Sequence, residues 1–133
     1  MTAEDLMLTT VETQMPQHIL EAVDRAKQTM ESHYGDELTV EELARSALFS
    51  RFHFSRMFQQ VTGVSPGRYL SSLRLEEAKR LLRTTDMKII DITYNVGYSS
   101  VGTFSSRFSK DVGMSPSEYR RWTQAIGTLP TAA

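Results

Sequence analysis

Apolar side chains recur along this chain with a helical period. Ile19, Val23, Ala26 and Met30 lie on one stripe of a helix predicted from Pro16 to about Tyr34, and Gly35 ends it. Val40, Leu43, Ala44 and Ala47 follow at i, i+3, i+4 and i+7. Thr39 is placed as their N-cap, with Glu42 three residues on, the pattern of a capping box. Ser50 caps a further helix over roughly residues 51–62. Gly63 stands where a left-handed residue would stop that helix. Ser65 followed by Pro66 starts another, since proline suits the first helical position. Residues 66–83 then form a long amphipathic helix carrying Leu70, Leu73, Ala78, Leu81 and Leu82. No segment reads as a strand, so the predicted class is all-α.

The pattern occurs twice. Residues 54–70 read FSRMFQQVTGVSPGRYL and residues 104–120 read FSSRFSKDVGMSPSEYR, with seven of seventeen positions identical at a shift of 50. Upstream the shift is 49, aligning Val40, Leu43, Ala44 and Ala47 with Ile89, Ile92, Thr93 and Val96. The second copy has its own turn glycine at Gly97, cap at Ser100, stop at Gly113 and restart at Ser115-Pro116. Two short helices joined by a three- or four-residue turn make a helix-turn-helix. The chain is therefore expected to hold two helix-turn-helix lobes joined by a long linker helix. The expected divisions are a mobile acidic leader (1–15), the N-terminal helix with the first lobe and linker (16–84), the second lobe (85–124) and a mobile tail (125–133).

At about 100° per residue, Phe54, Met57, Phe58 and Val61 share the buried arc of the helix over 51–62. Phe52, Ser55, Arg56 and Gln59 face outward. Their chemistry suits base edges: arginine grips guanine, glutamine adenine, and an aromatic ring meets a thymine methyl. Arg51 at the helix start suits a phosphate. Exposed Arg, Ser and Gln are commonplace; an outward Phe52 is the anomaly, because an aromatic ring away from the core wants a partner. In the helix over 101–112 the outward residues are Gly102, Ser105, Ser106 and Ser109, with Thr103 at the edge. That face is small and uncharged, and Arg107 falls at the margin of the buried arc. Ser100 and Arg107 are assigned to phosphate, the first because a helix start offers free N–H groups to an anion.

The net charge of −1 argues at first sight against nucleic acid, but the distribution of charge permits DNA binding without establishing it. Residues 1–37 carry eight acidic and two basic side chains, whereas residues 38–124 carry thirteen Lys and Arg against eight Asp and Glu. With no cysteine, disulfides, thiolate metal sites and thiol nucleophiles are excluded. No apolar run reaches the roughly 20 residues of a membrane span, and no signal peptide is visible. The expected compartment is the cytoplasm. His18, His33 and His53 lack metal-ligand spacing, and adjacent Glu76 and Glu77 point about 100° apart on a helix. No phosphate loop or nucleophile elbow occurs. No enzyme activity, metal or cofactor is expected. The rival to DNA binding is a helical protein-interaction adaptor of a transcription complex.

The segments LTVEELARSALFSRFHFSRMF (38–58), TGVSPGRYL (62–70), LRLEEAKRLL (73–82), IIDITYNVGY (89–98) and GMSPSEYR (113–120) together resemble the AraC/XylS family of bacterial transcription regulators. The resemblance covers about residues 16–122. It implies about seven helices, with one recognition helix from each lobe entering successive major-groove segments of double-stranded DNA. Carried over by position, Phe52, Ser55 and Arg56 match the base-reading residues of the first lobe. Val101, Gly102, Thr103, Ser105 and Ser106 match those of the second. Two departures stand out: Arg107 lies one position later than the family's Phe-Ser-Arg pattern places it, and Thr93 replaces the usual alanine. In length the chain resembles short stand-alone members, and equally the DNA-binding fragment of a longer effector-sensing regulator. RNA polymerase is the expected protein partner. Two reading helices in one chain predict a monomer on DNA.

Overall fold

The computed structural model describes residues 15–127. Among them lie seven helices and no strand: α1 (Gln17–His33), α2 (Val40–Ser46), α3 (Arg51–Thr62), α4 (Pro66–Thr84), α5 (Ile89–Asn95), α6 (Val101–Val112) and α7 (Pro116–Gly127). The fold is all-α, with helix-turn-helix pairs α2–α3 and α5–α6. None of these helices is long and apolar enough to cross a membrane. The leader read as mobile lies outside the described residues up to position 14, and the tail lies outside them from position 128. Within the segment read as tail, α7 runs on to Gly127.

Local chemistry sets the helix ends. Thr39 Oγ1 accepts from the Glu42 amide, Ser50 Oγ from that of His53, and Ser100 Oγ from that of Thr103, each at 3.2 Å. Such bonds satisfy N–H groups that a helix start leaves without partners. Gly63 and Gly113 stop α3 and α6 at φ of 86° and 91°, their amides returning to Gln59 and Ser109. Ser65 and Ser115 then cap α4 and α7 through the amides of Arg68 and Glu118. Lys88, at the start of α5, makes no side-chain cap.

The chain divides into two compact units. Among the described residues, one comprises residues 15–32 together with Leu38–Tyr69, and the other comprises His33–Glu37 and residues 70–127. In the first, Ile19, Val23, Ala26 and Met30 of α1 and Leu43 and Ala44 of α2 are buried, as are Phe54 and Phe58 of α3. In the second, Leu75, Ala78 and Leu82 of α4 form a core with Ile92, Val96, Phe104, Phe108 and Tyr119. The ring packing repeats as the sequence does. Phe58 meets Tyr69 edge-on at 5.6 Å, and Phe108 meets Tyr119 edge-on at 5.5 Å, both with an interplanar angle of 73°. Thr93 is fully buried and donates its hydroxyl to the Ile89 carbonyl at 2.8 Å, so the departure from alanine leaves no polar atom unsatisfied. Leu73, expected on the linker's apolar stripe, is only half-buried, and Leu75 is buried instead. A helix serving two cores does not keep one stripe.

Candidate nucleic-acid interface

A tight turn delivers each candidate reading helix. In the first unit Ala47 ends α2, Leu48 adopts φ 63°, and the Phe49 amide returns to the Ala44 carbonyl at 2.9 Å before Ser50 opens α3. In the second unit Val96 ends α5, Gly97 adopts φ 100°, and the Tyr98 amide returns to the Thr93 carbonyl at 3.1 Å before Ser100 opens α6. The backbone repeats; the residue in the left-handed position does not.

On α3 the residues that the wheel turns outward are exposed, except Ser55. Phe54 and Phe58 are buried, Phe52 is 83% exposed, Arg56 and Gln59 are exposed, and Ser55 lies half-buried at the edge. Arg56 makes no ion pair or hydrogen bond among the described residues. Arg51 instead pairs with Glu41. Both side chains are solvent-exposed, and such a pair is worth about 0–1 kcal/mol, so a phosphate could draw Arg51 away at small cost. His53 and Gln60 are also exposed on this face, and sequence reasoning passed over both. Thr103 occupies the position equivalent to His53, which was the available signal. The His53 ring rests on Phe49, with centroids 4.9 Å apart.

The α6 face needs a correction. Gly102, Thr103 and Ser106 are exposed, and Val101, Ser105 and Ser109 are half-buried. Arg107, however, is exposed rather than at the margin of the core. With Lys110 it borders a shallow concavity shared with Gly102, Thr103 and Ser106. Neither cation has a partner among the described residues. The face expected to be uncharged therefore presents two cations; Lys110 stands beside the serines, whose small hydroxyls alone do not signal it. Ser100 remains at the helix start, but its hydroxyl is held by the cap and by Thr103 Oγ1 at 2.9 Å.

Two arginines counted in the basic surplus face inward instead. Arg120 donates to the carbonyls of Leu82, Thr85 and Met87 at 2.6–3.2 Å, tying off the end of α4. Arg74 donates to the carbonyls of Tyr34 and Asp36, and burial lowers its pKa below the ordinary arginine value. The concavity of the α6 face thus owes its charge to Arg107 and Lys110.

The helix-turn-helix domain family matches residues 43–121, spanning both pairs. A transcriptional regulator from Chromobacterium violaceum described as containing an AraC-type DNA-binding domain is 30% identical with a TM-score of 0.61, over 80% of this chain and 91% of that one. The chain belongs to the AraC-type helix-turn-helix family. The DNA-binding domain of AdpA, a global transcriptional factor solved in complex with a target DNA, is likewise 30% identical, at a TM-score of 0.72. That match covers 86% of this AraC-type chain and 100% of the AdpA domain. The transcriptional activator RhaS of Escherichia coli O139:H28 is 36% identical over 92 residues, which is 69% of this chain and 33% of RhaS. The chain spans about a third of the length of the curated relatives it matches.

Proposed function

We propose that the chain binds double-stranded DNA sequence-specifically and regulates transcription, α3 and α6 entering successive segments of the major groove. The observation that carries this reading is the outward face of α3. A phenylalanine 83% exposed and an unpartnered arginine stand together on a helix whose start is held by a capped tight turn. Phe52, Ser55, Arg56 and Gln59 read base edges from α3, and Val101, Gly102, Thr103, Ser105 and Ser106 approach them from α6. Arg51, Ser100 and Arg107 take phosphates. A serine hydroxyl both donates and accepts, so it discriminates poorly. The first lobe therefore carries sequence choice, and the second, with Arg107 and Lys110, mainly anchors. The likeness to a domain solved on its target DNA supports DNA as the ligand. RhaS's description as an activator supports activation of transcription, and RNA polymerase is the partner this reading assigns. No catalytic role is assigned to any residue. Two reading helices in one chain make a monomer sufficient and the operator asymmetric, unlike the palindromes of dimeric helix-turn-helix proteins.

The test is selection of sites from random-sequence duplexes, followed by sedimentation of the complex. One asymmetric site bound by one protein, with affinity falling steeply as salt rises, is the expected result. Sequence-independent binding, or none, would leave the adaptor reading in its place. A palindromic site occupied by two copies would overturn the monomer.

A further inference from the structure

The segment His33–Glu37 lies between α1 and α2 in the chain, yet it belongs to the second unit. It packs there backbone to backbone. A Cβ added at Gly35 would stand 2.9 Å from the Asn95 carbonyl oxygen, and one added at Gly97 would stand 2.5 Å from that of Tyr34. The strap therefore sits against the α5–α6 turn with no room for a side chain on either side. Arg74 of α4 holds it there. Its Nε donates to the Tyr34 carbonyl at 2.8 Å and its Nη2 to the Asp36 carbonyl at 3.2 Å. The same guanidinium lies over the Tyr98 ring, 5.6 Å from the centroid, a cation–π arrangement. Tyr98 in turn packs against Phe104 at 5.5 Å, in the first turn of α6. The line strap, Arg74, Tyr98, Phe104 connects a distant part of the sequence to the start of α6.

Around the α2–α3 turn no such arrangement exists among the described residues. Leu48, at the position of Gly97, is 92% exposed, and Phe49, at the position of Tyr98, rests on outward-facing His53.

We propose that Arg74 is a positioning residue for α6, clamping the strap and Tyr98 together so that the helix starts in one place. The consequence for binding rests on α6 contacting DNA, as read above; the consequence for the turn does not. Groups that contact a ligand act within tight geometric tolerance, and the residues that hold them set that tolerance. Removing the two donors leaves the Tyr34 and Asp36 carbonyls without these partners and frees the strap from the turn.

The test uses the full chain in two arms. In amide exchange without DNA, Arg74→Met should make the amides of Tyr98 and Thr103 exchange about tenfold faster, leaving the equivalent Phe49 and His53 unchanged. Unchanged exchange at Tyr98 and Thr103, or equal acceleration in both turns, would overturn the proposal. In the second arm, Arg74→Met and Arg107→Ala are combined on the duplex selected by the wild-type protein. Because Arg74 acts through α6, their joint loss of affinity should fall short of the product of the single losses, whereas Arg74→Met and Arg56→Ala should multiply. Multiplication in both pairs would also overturn it. If Arg74→Met does not fold, Gly35→Ala displaces the same strap from its other side and carries the same expectations. If the wild-type protein selects no duplex, the DNA reading falls, and the exchange arm still decides the clamp.

Discussion

Leu48 and Gly97 occupy the same place in two copies of one turn and meet different surroundings. Both adopt a left-handed backbone, a conformation that costs a non-glycine residue about 1–2 kcal/mol. Leu48 stands in open solvent, where a side chain has room, so only that strain opposes it. Gly97 lies beneath Tyr34 and Arg74, where a side chain has none. The outward faces differ in the opposite sense. The helix after the bare turn carries a ring, an arginine and glutamines; the helix after the buttressed turn carries small hydroxyls and two cations. On the DNA-binding reading proposed above, the duplicated backbone serves two tasks, sequence choice on one lobe and anchorage on the other, and the chemistry that separates them lies in a few side chains.

Breaking the comparison at its strongest point means Gly97→Ala. Left-handed strain and the contact with Tyr34 add together, and the loss should be at least about 2 kcal/mol, read from urea unfolding monitored by signals of the second unit. A loss below that would mean the strap yields easily. Arg56→Ala comes next. It should lose about 1–3 kcal/mol on the best site and relax preference at one or two base pairs. Arg107→Ala should instead weaken all sites alike and flatten the salt dependence. Competition binding against single-substituted sites separates the two behaviours, and uniform weakening by Arg56→Ala would make that arginine a phosphate contact. Leu48→Gly should stabilise. Relief of about 1–2 kcal/mol of strain is partly offset by about 0.5–1 kcal/mol for glycine's freedom in the unfolded chain, leaving a net gain of about 0.5–1 kcal/mol in thermal or urea unfolding.

The smallest effect concerns the matching tyrosines. Tyr69 donates to Glu31 at 2.6 Å, whereas Tyr119 accepts from Arg83 at 2.9 Å. Burial first, then the hydrogen bond and charge of Glu31, push the Tyr69 phenol from 10.0 up to about 12. The fold favours the neutral phenol, so this contribution is fully present below pH 10 and is lost as pH rises towards about 12. Tyr69→Phe should flatten that part of the denaturation profile; an unchanged profile would locate the loss elsewhere.

Helix ends were legible in the sequence because capping is local: Thr39, Ser50, Ser100, Gly63 and Gly113 act within four residues of themselves. The repeat exposed the paired cores for the same reason. Long-range placements were not legible. Nothing near Arg74 in sequence announces carbonyls 38–40 residues away, and nothing near Gly35 marks it as part of the second unit. Leu48 hid the first turn's left-handed residue because leucine is not a signal for one. On α3 the helical wheel gives the exposure of Phe52, Arg56 and Gln59, but it leaves out exposed His53 and Gln60 and turns half-buried Ser55 outward. On α6 a wheel drawn around two phenylalanines does not tell how far the core extends, so it sets exposed Arg107 at the margin, while Lys110 lies beside the serines and escapes a reading of them alone.

Unequal lobes are tested most directly by a complete single-substitution scan of the selected DNA site, read out by competition binding with the wild-type protein. The half contacted by α3 should show penalties of about 1–3 kcal/mol per mismatched pair, and the half contacted by α6 clearly smaller ones. Equal penalties in the two halves would contradict the division of labour and make Thr103, Ser105 and Ser106 base readers as discriminating as Arg56.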